Sequence, residues 1–361
     1  MWPYWLIFIV FTCLGTVSIR AIQNQDQPNM RWGQAWWFAF VYLTLVIGLR
    51  CEVGGDWYNY IRIFETIAEQ TLSEALVRGE PSYVWLNWFA SHVWGGVYLV
   101  NTVSALLFSW GLVAFCKIQA RPWLALVVAV PYLVVVVAMG YTRQGVAIGL
   151  IMLGLVALHK GRTLHFLLWV AFASTFHLSA AILVPLFLFS KSRNFWVTAC
   201  GGLISGFFLY FLLLKESLNQ YFENYIDVEF ASSGAAIRIA MNAFPAILFL
   251  CFNRRFIYLT PGQRRFWIWM SLGALIFVFL LQVFSSSSTA LDRVALYWIP
   301  LQLTVWSQVP DAFGKPLQRN AGWVYAVIIY SAMVLFVWLV FATHSFYWLP
   351  YKFYPWEMLW Q

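Results

Sequence analysis

The sequence predicts an all-α, polytopic integral membrane protein with about twelve transmembrane helices, since a helix needs ~20 apolar residues to cross a bilayer. Of its 361 residues, 62% are hydrophobic and only 10% are charged, and the mean hydropathy of +0.72 is outside the range of soluble domains. Apolar runs of membrane-spanning length recur from end to end, which leaves no room for a soluble domain of ordinary size. We therefore expect a single integral membrane domain over residues 1–361.

The charged residues set the order and orientation of these helices. Basic residues cluster in alternate loops, whereas most acidic residues lie in the intervening loops. Because positively charged loops stay on the cytoplasmic side, the basic loops are predicted to be cytoplasmic and both termini to lie outside. The predicted spans are 2–20, 33–50, 97–116, 122–139, 143–159, 163–176, 178–190, 195–214, 237–253, 265–283, 292–309 and 321–343.

Two outer segments, 51–95 and 215–236, separate spans on the periplasmic side. The first contains an amphipathic pattern over 56–68, followed by a Trp-rich run over 82–94. Apolar residues at helical spacing beside polar ones are typical of helices that lie at a membrane interface. We therefore predict periplasmic, interfacial helices in this segment.

Residues 163–190 cannot form two full spans because they number too few for that length. They predict either two short spans or a short re-entrant hairpin, bent near Phe176 and His177. Irregular backbone at that depth is stable only where protein or a water-filled cavity satisfies its polar groups.

The composition argues against several other classes of protein. The net charge of +8 is distributed over the cytoplasmic loops, as expected for a membrane protein, so no nucleic-acid partner is predicted. The five cysteines show no CxxC spacing, and this favours neither a disulfide framework nor a zinc site. The chain also has no P-loop and no clear metal-ligand cluster, so we expect neither a cofactor nor a metal.

Several ionisable residues are predicted at the outer ends of spans, where they could converge on one outward-facing cavity. Charged groups near a membrane are energetically costly and often functional. These residues are Arg50, Asp56, Arg143, His177, Arg238, Asp292 and Arg293.

Three of these residues, Arg143, Arg238 and Arg293, begin helices that run inward from the outer side. A helix N-terminus and a guanidinium group both match the oxygens of a diphosphate, so the three ends favour an anionic ligand. Gly54 and Gly55 allow a tight turn before Asp56.

Structural roles compete with each of these interpretations. An arginine at a helix end is often a membrane anchor, and Arg50 also fits a charge–dipole role at a helix C-terminus. Asp292 suits a helix cap, and His177 suits a hydrogen-bonded core residue. The shared outer position of the set favours a functional site over separate structural roles.

An ordered set of short motifs resembles the EpsG family of Wzy-type polysaccharide polymerases. These motifs are Arg50-x-x-x-Gly54-Gly55-Asp56-x-Tyr58-x-Tyr60, Glu80-Pro81-x-Tyr83, Arg143-Gln144-x-x-Ala147, Phe176-His177-x-Ser179-Ala180 and Asp292-Arg293. Gly55 departs from the family pattern, in which a small polar residue is expected before the aspartate.

The resemblance implies a bacterial inner-membrane glycosyltransferase whose active site faces the periplasm. Such an enzyme joins undecaprenyl-diphosphate-linked oligosaccharide repeat units into O-antigen, capsule or exopolysaccharide. The implied partners are this lipid-linked oligosaccharide, the lipid bilayer and a chain-length co-polymerase.

This chemistry assigns a hypothetical role to each candidate residue. Asp56 is the first choice of general base and His177 the second. Arg143 and Arg293 are the predicted diphosphate ligands, supported by Arg238 and Arg50. The predicted sugar-binding residues are Glu80, Tyr58, Tyr60 and Asp292, the last of which is also expected to position Arg293.

Two alternative functions remain open at this stage. A transporter or flippase of lipid-linked oligosaccharide would use the same arginines and aromatic residues, although no internal repeat is evident. An O-antigen ligase shares the chemistry of a polymerase but transfers the glycan to a different acceptor. An O-acetyltransferase and a rhomboid-like protease fit less well, because the cytoplasmic loops are short and a GxS nucleophile is missing.

Overall fold

A computed structural model describes residues 1–17, 32–191, 234–283, 288–315 and 318–359. The described residues are mostly helical. Its helices are α1 (Trp2–Val17), α2 (Gln34–Gly48), α3 (Trp57–Ala68), α4 (Leu72–Arg78), α5 (Pro81–His92), α6 (Gly96–Lys117), α7 (Pro122–Ala129), α8 (Thr142–His159), α9 (Thr163–Phe176), α10 (Leu183–Lys191), α11 (Ala235–Phe252), α12 (Pro261–Val283), α13 (Ser288–Ala295), α14 (Ile299–Phe313), α15 (Ala321–Phe341) and α16 (Tyr354–Glu357). Two short strands, β1 (Arg50–Cys51) and β2 (Lys352–Phe353), pair antiparallel.

Within the described residues, five helices are long and apolar enough to cross a membrane: α6, α8, α11 with its 3₁₀ extension, α12 and α15. Shorter apolar helices occupy most of the other predicted spans. Every predicted span except 195–214, which lies outside the described residues, coincides with a helix or a run of consecutive helices. The all-α membrane architecture is thus confirmed, while the number of crossings and their orientation stay predictions.

The described residues form two compact units. One unit contains Met1–Leu178 together with Leu317–Gln361, and the other contains Ser179–Pro316. The expected single domain over 1–361 stays a prediction. The predicted outer segment 215–236 lies almost wholly outside the described residues, as only its last three positions are included.

Helix α8 lies at the centre of the first unit. Of its spanning window, 83% is buried, compared with 61% for α6 and 39% for α15. Helices α6 and α8 approach closely at two glycines, because a Cβ added to Gly111 would lie 1.9 Å from the carbonyl oxygen of Gly149. Small residues let two helix backbones approach this closely. Such packing stabilises helix contacts in a membrane, where the hydrophobic effect does not drive helices together because the surrounding lipid is equally apolar.

A π-helix over Val130–Ala138 continues α7 and leads to the start of α8. Pro131 lies in its first turn and has no amide hydrogen to donate, which disturbs the regular α-helical ladder. The whole segment is buried. The π-helix ends at Ala138, and a short connection through Met139 and Gly140 leads to Thr142, where α8 begins.

The C-terminal segment 342–359 folds back onto the loop that follows α2. Strand β2 pairs with β1, and the Lys352 ammonium forms an ion pair with Glu52. The Trp348 side chain is 1% exposed, and its Nε1 donates a hydrogen bond to the Val135 carbonyl oxygen at 2.7 Å. The sequence interpretation missed this tail contact and the small sheet.

The second unit is held by polar contacts among otherwise apolar helices. Trp298 Nε1 donates to the Met270 carbonyl oxygen at 2.7 Å, and its ring lies against Gly273 of α12. Asn242 of α11 donates to the Ala295 carbonyl oxygen and accepts from Gln302 of α14, at 2.8 and 2.7 Å. Buried amides paired in this way avoid the cost of unsatisfied polar groups.

Candidate active site

The chain turns after α2 at Gly54 and Gly55, and only one of these two positions requires glycine. Gly54 has a φ of +107°, and a Cβ there would lie 2.3 Å from the Met139 carbonyl oxygen. Its amide donates to the Tyr347 carbonyl oxygen at 2.9 Å, so the loop is held by the C-terminal segment. A Cβ on Gly55 would meet nothing closer than Trp348 at 3.9 Å. The structural requirement for glycine therefore lies at Gly54.

Arg50 is buried and its guanidinium donates to three protein groups. Its Nη1 donates to the Ile47 carbonyl oxygen at 2.6 Å, its Nη2 to Thr142 Oγ1 at 2.7 Å and its Nε to the Val53 carbonyl oxygen at 3.3 Å. Only 1% of the residue is exposed. These contacts connect the end of α2, the glycine turn and the start of α8. Diphosphate binding by Arg50 stays a prediction, and the observed contacts are structural.

Three predicted site residues meet at the N-terminus of α8. Arg143 Nη1 donates to Glu80 Oε2 at 2.7 Å, and the other carboxylate oxygen, Oε1, lies 3.2 Å from His177 Nδ1. Glu80 precedes α5, Arg143 lies in the first turn of α8, and His177 follows the last residue of α9. All three side chains are 21–27% exposed. The result is a partly buried Arg143–Glu80–His177 cluster.

The break after Phe176 places His177 in this cluster. Helix α9 ends at Phe176, and His177 adopts an extended backbone with φ of −157° and ψ of 112°. A 3₁₀ helix over Leu178–Ile182 follows. The predicted bend near Phe176 and His177 is therefore present, while the re-entrant path stays a prediction.

The Glu80 carboxyl is ionised at neutral pH. Burial alone would raise its pKa, but the hydrogen bond to His177 and the positive charge of Arg143 outweigh burial and lower the pKa to about 2. An ionised carboxylate can only accept hydrogen bonds, so the His177 Nδ1 must carry a hydrogen. A neutral His177 then has its lone pair on Nε2, which makes that atom a possible proton acceptor.

Two tyrosines pack around the Arg143 guanidinium. Its central carbon lies 6.0 Å from the ring centre of Tyr60 and 5.8 Å from that of Tyr83. Burial and the nearby Asp56 carboxylate raise the pKa of Tyr60 to about 12, so its hydroxyl stays protonated. Tyr83 was not among the predicted site residues, although the Glu80-Pro81-x-Tyr83 motif contained it.

Asp56 and Tyr58 lie at the start of α3 but differ in their surroundings from Tyr60. Asp56 precedes α3, is half-buried and acts electrostatically on Tyr60. Tyr58 is 61% exposed, whereas Tyr60 is 3% exposed beside Tyr83. Tyr60 thus belongs to the wall of the Arg143 cluster and Tyr58 to the surface. Sugar contact by either residue stays a prediction.

The remaining candidates lie in the second unit. Arg238 Nε donates to Asp292 Oδ1 at 2.6 Å, and these side chains are 13% and 10% exposed. Asp292 lies inside α13 instead of capping it, and Arg293 beside it is exposed. The observed partner of Asp292 is therefore Arg238, while its proposed action on Arg293 and on sugars stays a prediction.

The predicted residues divide between the two units. Those of the first unit are Arg50, Asp56, Tyr58, Tyr60, Glu80, Arg143 and His177, and those of the second are Arg238, Asp292 and Arg293. Their convergence on one cavity stays a prediction. Among the described residues, no three His, Cys, Asp or Glu side chains are grouped as metal ligands would be. Metal-independent chemistry likewise stays a prediction.

Comparison with known families identifies the chain. The family described as EpsG matches residues 35–353, which is most of the sequence. The chain belongs to the EpsG family. This family is associated with polysaccharide polymerases, so the chain is assigned to membrane-embedded polysaccharide biosynthesis. No curated protein and no solved structure gives a significant match.

Proposed function

We propose that this EpsG-family protein is a metal-independent glycosyltransferase that polymerises undecaprenyl-diphosphate-linked oligosaccharide repeat units. The reaction takes place at the periplasmic face of the bacterial inner membrane. The observation that carries the proposal is the Arg143–Glu80–His177 cluster, where a cation, an ionised carboxylate and an oriented imidazole meet at a helix N-terminus. Family membership supports the reaction class.

His177 is proposed as the general base. Glu80 orients the imidazole through Nδ1, which leaves Nε2 to accept a proton from the acceptor hydroxyl. The hydroxyl oxygen then bonds to the anomeric carbon of the donor sugar. The bond from that carbon to the lipid diphosphate breaks, and the leaving diphosphate takes the electron pair. Asp56, the first choice from sequence, is proposed as the alternative base.

Arg143 is proposed to bind the donor diphosphate. Its guanidinium lies in the first turn of α8, where helix amides and the positive end of the helix dipole also favour negative charge. Fixed positive groups of this kind stabilise charge that develops on a leaving group. Arg238 and Arg293 are proposed to supply further positive charge, whereas Arg50 is proposed to fix the turn beside Arg143.

The proposal is tested by the length distribution of the glycan in cells that lack the gene. Wild type, Arg143→Ala and the exposed control Arg162→Ala are each restored, and membrane levels of the variants are compared. We expect a ladder of repeat lengths with wild type and Arg162→Ala, and a single repeat unit with Arg143→Ala, because only Arg143 lies in the cluster.

The same experiment separates the alternative functions. Loss of every exported repeat unit in the deletion strain would instead favour a flippase. Full-length polymer left on the carrier lipid would favour an O-antigen ligase. A normal ladder from Arg143→Ala at normal membrane levels would refute the role assigned to that residue.

A further inference from the structure

A cavity of about 230 Å³ lies among α3, α4 and α5, next to the Arg143–Glu80–His177 cluster. Its volume far exceeds the ~10–15 Å³ that a single buried water requires. One end of the cavity is formed by Glu80, Tyr83 and Arg143. A ligand in this space would therefore contact the proposed reaction centre directly.

The walls of the cavity combine apolar and polar surfaces. Ile67, Ala75 and Val84 pack together as a buried apolar cluster, and all three line the cavity. This cluster gives the cavity a preformed wall of aliphatic side chains that does not have to rearrange when a ligand enters.

Polar side chains from α3 and from the turn after it also line the cavity. Arg62 and Thr66 lie one turn apart on one face of α3, and Gln70 follows just after the helix ends at Ala68. Arg62 and Thr66 are exposed, whereas Gln70 is half-buried. They supply guanidinium, hydroxyl and amide groups that can bind ligand hydroxyls.

We propose that this cavity is a sugar-binding subsite for the glycan of the lipid-linked repeat unit. The inference rests on the proposed polymerase function and names the part of the substrate that occupies the cavity. A sugar ring has an apolar face and a hydroxyl-bearing edge, which match the aliphatic wall and the polar face of α3. An isoprenoid chain would match only the aliphatic wall, and its presence would remove water from Arg62 and Gln70 without replacing their hydrogen bonds.

The test measures binding of two probes to the purified full-length protein in lipid nanodiscs. One probe is the lipid-free oligosaccharide of the source organism's own repeat unit, and the other is undecaprenyl diphosphate without sugars. The variants are Gln70→Ala, which removes one hydrogen-bonding group, and Thr66→Trp, which places a bulky ring over the cavity from an exposed position. Asn59→Ala, an exposed amide on α3 outside the cavity lining, is the matched control.

We expect Gln70→Ala to weaken oligosaccharide binding by about 3- to 10-fold, the effect of about one hydrogen bond. Thr66→Trp should weaken it further, and Asn59→Ala should not change it. Binding of undecaprenyl diphosphate should be unchanged in all three variants. The inference is overturned if only the binding of undecaprenyl diphosphate is weakened, or if neither probe responds to the cavity variants.

Direct binding keeps this test separate from that of the proposed function. If the oligosaccharide binds in a Gln70-dependent manner but wild type forms no polymer from lipid-linked units, the subsite stands and the polymerase function fails. If polymer forms normally in the Gln70→Ala and Thr66→Trp variants and oligosaccharide binding is also unchanged, the polymerase function stands and the subsite is overturned.

Discussion

Replacing Glu80 by glutamine separates the charge of this residue from its size. In the wild-type protein, one carboxylate oxygen accepts from Arg143 and the other faces His177. Glutamine keeps one oxygen acceptor but presents an amide donor to the second partner. Because Arg143 and the hydrogen-bearing Nδ1 of His177 are both donors, glutamine can bond to both only if a neutral His177 moves its hydrogen from Nδ1 to Nε2.

The lowered pKa of Glu80 gives the size of the effect on stability. A change from 4.5 to about 2 corresponds to about 3 kcal/mol, since one pKa unit is equivalent to ~1.4 kcal/mol. The side chain is 21% exposed, and solvent screening reduces the contribution of its ion pair somewhat. We therefore expect Glu80→Gln to lower the free energy of unfolding by ~2–3 kcal/mol at neutral pH.

The pH dependence of this effect has a defined sign. A carboxyl whose pKa is lowered by folding stabilises the folded state above its unfolded pKa, and the stabilisation is lost as the pH falls. The difference in stability between wild type and Glu80→Gln should stay constant near neutral pH and should shrink between pH 4.5 and about 2. Thermal unfolding in detergent over this range measures it.

Activity should fall together with stability. Without the carboxylate, His177 loses the partner that keeps its hydrogen on Nδ1, so Nε2 no longer serves as the proton acceptor, and loss of a general base lowers a rate by ~100-fold or more. The assay is chain growth from lipid-linked repeat units by folded protein, with Glu69→Gln as an exposed control on the same outer segment. Wild-type stability and wild-type chain growth in Glu80→Gln would refute the structural reasoning.

Three further substitutions test other parts of the structure. Gly54→Ala should destabilise the protein by more than ~1 kcal/mol, because Gly54 has a positive φ and an added Cβ would clash with the Met139 carbonyl oxygen. Gly55→Ala should have little effect, and equal thermal stability of the two variants would contradict this prediction. Trp348→Ala should lower the free energy of unfolding by ~3–5 kcal/mol, because this side chain is 1% exposed. A loss of stability as small as that of a surface substitution would show that the C-terminal segment does not hold the loop after α2. Arg238→Met and Asp292→Leu should each destabilise more than the double variant does, because either single change removes the ion-pair partner of a largely buried charge. Additive effects in a double-mutant cycle would show that the two side chains do not interact.

Much of the helical framework could be predicted from sequence because its signal is local. Apolar runs of spanning length predicted the helices, and the interrupted pattern near Phe176 predicted the end of α9. The sequence also indicated that the turn after α2 needs glycine. It could not show that this requirement lies at Gly54 and not at Gly55. That distinction depends on the Met139 carbonyl, which belongs to a segment distant in sequence.

The contacts of the site could not be predicted because they depend on tertiary packing. Glu80 is 63 residues from Arg143 and 97 residues from His177, so no local pattern reports that they meet. Family resemblance selected all three residues but gave them separate roles. The pairing of Asp292 with Arg238 was missed for the same reason, since they lie 54 residues apart.

Other omissions have different causes. The β1–β2 pairing involves two residues on each strand, which is too short for a periodic pattern to reveal. Helix α4, in contrast, was detectable. Thr71 and Glu74 form a capping box at its start, a pattern that can be recognised from sequence alone.

The most direct test of the central claim is chain growth in a purified system. The full-length protein is reconstituted in lipid with undecaprenyl-diphosphate-linked repeat units of the source organism and without added divalent metal, and the products are separated by length. Wild type should produce lipid-linked glycans of two or more repeats, whereas Arg143→Ala should leave single repeats unchanged. Products that remain single repeats with folded wild-type protein, or a ladder from Arg143→Ala equal to that of wild type, would contradict the account.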